Sequence, residues 1–126
     1  QAWSALIEGD AGLTVKKFIA QADITLENSQ DLTADGPLTK LWLFPYLYGD
    51  GFVSDLFEVG GWEEINRAYL NPPGTTEQIM HPGKYLNGEK YVEVEVQPLD
   101  DSSWTLVETD RLGEHFILVM LQVHLS

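Results

Sequence analysis

The chain has 126 residues, with 20 acidic against 7 basic side chains, a formal charge of −13 and no cysteine. That length suits a single domain with a real core. The charge argues against nucleic acid and anionic membrane surfaces, both of which need a basic patch. The absence of cysteine removes disulfides and thiolate metal sites and leaves the compartment open. The longest apolar run, Leu41 to Tyr48, contains Pro45 and is far too short to span a bilayer, so this segment is expected to make no membrane insertion. The chain opens at Gln1 in mid-pattern and stops while still apolar, which reads as a fragment or a processed piece.

Residues 2 to 20 read as a helix, because Trp3, Ile7, Ala11, Val15 and Phe18 recur at helical spacing and Leu6, Leu13 and Ile19 widen the stripe. Glu8, Gly9 and Asp10 interrupt it. The residues three or four from Glu8 are Ser4, Ala5, Ala11 and Gly12, all small, so another element can approach that carboxylate closely. Asp10 points to roughly the opposite side. Residues 21 to 37 are polar and read as a loop.

Helix resumes at Leu38, and Pro45 is expected to kink or break it because it removes the bond to Leu41. Gly49-Asp50-Gly51 reads as a turn. Phe52, Val53, Leu56, Phe57 and Val59 form a strong stripe leading to a corner at Gly60-Gly61. The next helix stops at Asn71-Pro72-Pro73-Gly74, since neither proline can donate to a helical ladder. Thr75 begins another, with Gln78 three residues on, and Pro82 marks its end just past His81.

Beyond Leu86 the period changes. Tyr91 to Val96 alternates valine and glutamate, a half-buried strand, and Trp104 to Glu108 is a second strand candidate after a turn over 100–103. Asp110 can cap a last helix from about Leu112 to Leu125, with Phe116, Met120 and Val123 on one face. The expectation is therefore one α+β domain over 1–126, predominantly α-helical, with several short helices and a small two-stranded β element before the last helix.

No complete catalytic motif is present. There is no HExxH, Walker A loop, GxGxxG or GxSxG, and His81, His115 and His124 do not share the spacing of a helical zinc site. Four segments carry a resemblance instead: ALIEGDA (5–11), PYLYGDGFV (45–53), GGWEEINRAYLNPPGTTEQIMHPGKYL (60–86) and TDRLGEHF (109–116). In this order they resemble the C-terminal half of a family of bacterial gluzincin-like zinc metallopeptidases. The long central motif is the specific one; ALIEGDA or TDRLGE alone is weak.

The resemblance implies an upstream helix bearing HExxH, a zinc ion, and Glu8 as the third zinc ligand in the full-length parent. It makes His81, Tyr46 and Tyr85 candidates for contacts to substrate or to a tetrahedral intermediate. It also implies a peptide substrate, an extracytoplasmic setting, and the missing N-terminal segment of the same protein as the natural partner, with a homodimer through the uncovered face as a substitute. The isolated chain is expected to hold no zinc and to be inactive. The alternative is a non-catalytic binding or structural domain that keeps a peptidase-like scaffold.

Overall fold

The computed structural model describes residues 1–25, 36–95, 97 and 103–125. Five helices follow one another: α1 (Ala2–Ala22), α2 (Pro37–Leu70), α3 (Thr76–Met80), α4 (Pro82–Leu86) and α5 (Glu114–Leu125). Most of the expected 21–37 connection, and also Val96, Pro98 and residues 100–102 of the expected turn, lie outside the described residues.

The fold begins where α1 crosses α2 without side chains in between. A Cβ added to Gly9 would collide with the carbonyl of Gly49, and one added to Gly49 would collide with the carbonyl of Ala5. Gly49 is therefore not a turn residue: the helix runs straight through Gly49-Asp50-Gly51, and its glycine is needed for close approach. On either side of the crossing, Leu6, Phe44, Phe52, Val53 and Leu56 are almost wholly buried. Burial of each such side chain stabilises the fold by roughly 1.5–3 kcal/mol.

Pro45 does not break α2 either. It leaves the Leu41 carbonyl without its helical donor, and the Gln1 side-chain amide donates to that oxygen at 2.8 Å. The real break is at Gly60 and Gly61, where φ and ψ leave the helical region; Gly61, at φ 63° and ψ −152°, occupies a conformation open to glycine alone. After this corner Ile65 and Ala68 turn back into the core.

The buried face of α1 is Ala2, Ala5, Leu6, Gly9 and Leu13. Of the stripe read from the sequence, Leu6 and Leu13 are buried and Ile19 is half-buried, while Trp3, Ile7, Val15 and Phe18 look outward and stay 42–63% exposed. Backbone proximity selects small residues for the inner face, and hydrophobic spacing alone does not reveal that choice. The last helix inverts in the same way: His115 and Val119 are buried, while Met120 and Val123 are exposed.

The short helices follow their local chemistry closely. Thr75 caps α3, its hydroxyl accepting from the Gln78 N–H at 3.2 Å, and the Gln78 side chain accepts from the Gly74 N–H at 2.8 Å. His81 ends α3, and Pro82 starts α4 at a position where its missing N–H costs nothing. Thr76 is buried and accepts from the His115 N–H at 3.3 Å; a Cβ on Gly113 would strike the Thr76 hydroxyl, so α5 also begins on a glycine contact. Asp110 accepts from the Arg111 N–H at 2.7 Å, and α5 starts later than Leu112.

The expected two-stranded β element is absent from the described residues: Tyr91 to Glu95 and Trp104 to Glu108 carry no strand. The fold is helical, not α+β. Alternation gives Val92 and Val94 one side, but nothing receives it, and both remain 79–87% exposed, as do Leu106 and Val107 at 82–93%. A strand pair without an apolar surface beneath it is marginal. The segment is instead fastened by Arg111, which lies over the Tyr91 ring and pairs with Glu93 at 2.8 Å.

The crossing makes a paired prediction. Gly9→Ala should destabilise the fold by roughly 1–3 kcal/mol through overpacking, despite the better helix propensity of alanine. Gly51→Ala, in the same helix as Gly49 but with open space around it, should stabilise by about 0.5–1 kcal/mol. Urea unfolding of both variants gives the comparison, and equal midpoints would contradict it.

Candidate functional site

Glu8 and Tyr46 come together. Ser4 and Glu8 are one turn apart on α1, and Trp42 and Tyr46 are one turn apart on α2, so the two pairs face each other along one side of the crossing. With Gln1, Leu41 and Pro45 they line an open groove of about 300 Å³. The Tyr46 hydroxyl donates to Glu8 Oε1 at 3.1 Å. That hydrogen bond, and then the carboxylate charge, push the Tyr46 phenol above its ordinary range. Among the described residues no cation pairs with Glu8.

The small residues around Glu8 have two fates. Ala5 is buried at the crossing and Gly12 lies near the Asp50 carboxylate, so α2 of this chain accounts for both. Ser4 and Ala11 are exposed and belong to the open side.

Tyr85 and His81 do not line this groove. The Tyr85 hydroxyl donates to the Asn71 carbonyl at 2.8 Å and its ring packs edge-on against Phe52, which ties α4 to the end of α2. Burial, and secondarily the Glu64 charge, push its phenol up. Tyr85 edges a separate groove of about 370 Å³ with Glu64, Arg67, Leu70, Asn71, Leu86 and Gly88. His81 Nε2 meets Glu114 Oε1 at 2.9 Å, joining the HPGKYL and TDRLGEHF motifs through one half-exposed pair.

His115 is a packing residue. Its ring lies against Phe44 and Tyr48 with centroids 4.6 and 5.4 Å away, and Nε2–H donates to the Lys40 carbonyl at 3.1 Å, which assigns that tautomer. Among the described residues Nδ1 has no partner.

Ser4 stands beside Glu8 as its spacing indicates, whereas Trp42 is a groove residue to which the sequence reading gives no role. The spacing of Trp42 to Tyr46 and of Leu41 to Pro45, one turn each, was the available signal. It emerges only if α2 is known to continue through Pro45.

Among the described residues no three of His, Cys, Asp and Glu approach closely enough to share a metal ion. No helix among the described residues is long and apolar enough to cross a membrane. Compared with protein-family models, with curated proteins and with solved structures, the chain matches none.

On the far side of α1, Asp10 Oδ2 accepts from the Tyr69 hydroxyl at 2.8 Å. Burial first, then this bond and the Asp10 charge, push the Tyr69 phenol up to about 12. An unfolded tyrosine titrates near pH ~10. Below that pH both states hold the proton and the contribution to stability is complete. As pH rises from about 10 towards 12 the unfolded chain loses its proton first, and stability falls. Urea unfolding between pH 9 and about 11.5 should show this loss, and Tyr69→Phe should flatten part of it; an unchanged slope in the variant would contradict the assignment.

Proposed function

We propose that this chain is the C-terminal subdomain of a zinc metallopeptidase-like protein and that Glu8 supplies one zinc ligand. The observation that carries the reading is the placement of Glu8. It is half-buried at the edge of an open groove, and a neutral phenol, not a cation, is its hydrogen-bond partner. Asp10 shares the phenol partner, but only Glu8 lines the groove, where it is oriented by one oxygen.

The remaining donors would come from an HExxH helix on another segment of the same protein, as the resemblance implies. Such a zinc supplies polarisation of a peptide carbonyl and activation of a water. This chain's own residues hold and orient. Tyr46 restrains one carboxylate oxygen, and among the described residues the other, Oε2, has no hydrogen-bond partner. Pro45, Leu41 and Trp42 form the apolar wall of the groove. His81 and Tyr85, engaged with Glu114 and Asn71, act at this site only through the shape of the fold.

A second reading draws on the same residues. Ala5, Gly9 and Gly12 are explained by contact with α2, which also suits a non-catalytic domain that keeps the scaffold. The two readings separate on the protein that includes the HExxH segment. There, Glu8→Gln should lower zinc affinity by roughly tenfold or more and peptide hydrolysis with it, while the circular dichroism spectrum stays unchanged. Full zinc occupancy and turnover in that variant would remove Glu8 as a ligand and leave the scaffold reading.

A further inference from the structure

The outer face of α1 is apolar where a surface helix should be polar. Trp3, Ile7, Ala11 and Phe18 succeed one another at intervals of four, four and seven residues, with Val15 beside them, and all are exposed. They form a stripe about 22 Å long, directly opposite the face that packs on α2. A helix apolar on both faces belongs inside a structure. The stripe is continued sideways by an aromatic side chain of α2, where Trp3 meets Tyr69 edge-on at 5.7 Å.

The flanks of the stripe state what kind of cover it takes. Glu8 borders it on one side and Asp10 on the other, since two residues along a helix are about 200° apart. Each carboxylate is hydrogen-bonded by a neutral phenol, Tyr46 and Tyr69 respectively, and among the described residues neither has a cationic partner. The basic residues of α1 are elsewhere engaged: Lys16 pairs with Asp50, and Lys17 lies over the Phe57 ring at 4.1 Å. The negative rim is thus confined to the first half of the stripe, on a chain whose net charge is −13.

We propose that the outward face of α1 seats a basic amphipathic helix of another protein. Its apolar side would cover Trp3, Ile7 and Phe18, and lysine or arginine on its flanks would meet Asp10 and Glu8. A second copy of this chain is a poor occupant, because it would bring the same acidic rim against itself. The proposal does not rest on the zinc reading: if Glu8 carries a metal, that ion supplies the positive charge on its side and the partner's cations face Asp10.

The test is a titration in metal-free buffer with EDTA, followed by tryptophan fluorescence, since Trp3 lies in the seat. The probe is an ~18-residue leucine–lysine helix, long enough to cover the stripe. Comparison peptides are a scrambled version of the same composition and a version with glutamine for lysine. Saturable binding is expected for the first alone, weakening strongly at about 0.3 M salt. Ile7→Asp and Phe18→Asp should each weaken it roughly tenfold or more, and Asp10→Asn several-fold with a shallower salt dependence. Val107→Asp, at an exposed position outside the helices, should leave it unchanged. Circular dichroism confirms that each variant is folded; because Phe18 is 63% exposed, its replacement should be tolerated.

No binding of the helical probe, equal binding of the scrambled peptide, or wild-type binding by folded Phe18→Asp would overturn the proposal. So would sedimentation equilibrium showing a dimer of the wild-type chain that Ile7→Asp dissociates, since the face would then be occupied by a second copy.

Discussion

The contact on which the rest of the structure depends is the meeting of two backbones at Gly9 and Gly49. With no Cβ on either residue, α1 and α2 approach until the carbonyls of Ala5 and Gly49 lie in van der Waals contact with the opposing glycines. That distance fixes how far apart every other pair on the two helices can be. Leu6, Phe52 and Val53 are buried in one cluster around the crossing, and Glu8 lies within reach of Tyr46 on the flank. The candidate site lies beside the crossing, in a groove lined by residues of both helices.

The same constraint explains why α2 tolerates what the sequence presents as interruptions. A glycine at 49 and a proline at 45 would each weaken an isolated helix. Here Gly49 is required by the neighbour, and the carbonyl that Pro45 frees is satisfied by Gln1. The one corner α2 does contain is at Gly61, where the backbone takes a conformation that a side chain would oppose. Tertiary contact decided between two glycine pairs that look alike in sequence.

What was legible in the chain follows from this distinction. Corners whose cause is local could be read: Thr75 with Gln78, the stop at Asn71-Pro72-Pro73, and the boundary at His81-Pro82 all stand where their chemistry puts them. Faces could not, because they depend on what comes from far along the chain. On the inner face of α1 only Leu6 and Leu13 carry a strong hydrophobic signal, while Ala2, Ala5 and Gly9 carry little beside Trp3 and Phe18. The alternation at Tyr91 to Glu95 was real in sequence but had no apolar layer to lie on, so no strand forms there. Of the site, Glu8 was picked out by its small neighbours, half of which the crossing itself employs. Tyr46 was picked out by resemblance, and their pairing came only with the continuity of α2.

Two features of α1 remain outside the packing of the described residues: the Glu8 carboxylate at the edge of a groove and the outward apolar stripe. Glu8 is oriented by Tyr46 in a groove, and it also borders the outward apolar stripe that Asp10 flanks on the other side. The central claim is the first of these, that Glu8 is held by the crossing so as to meet a metal. Anomalous diffraction at the zinc edge, from crystals of a longer form of the protein that carries an HExxH helix as the proposal requires, tests it directly. The account predicts a zinc peak about 2.0–2.2 Å from a Glu8 carboxylate oxygen, with Tyr46 on the other oxygen. A fully occupied zinc elsewhere, with Glu8 bonded to Tyr46 alone, would contradict it.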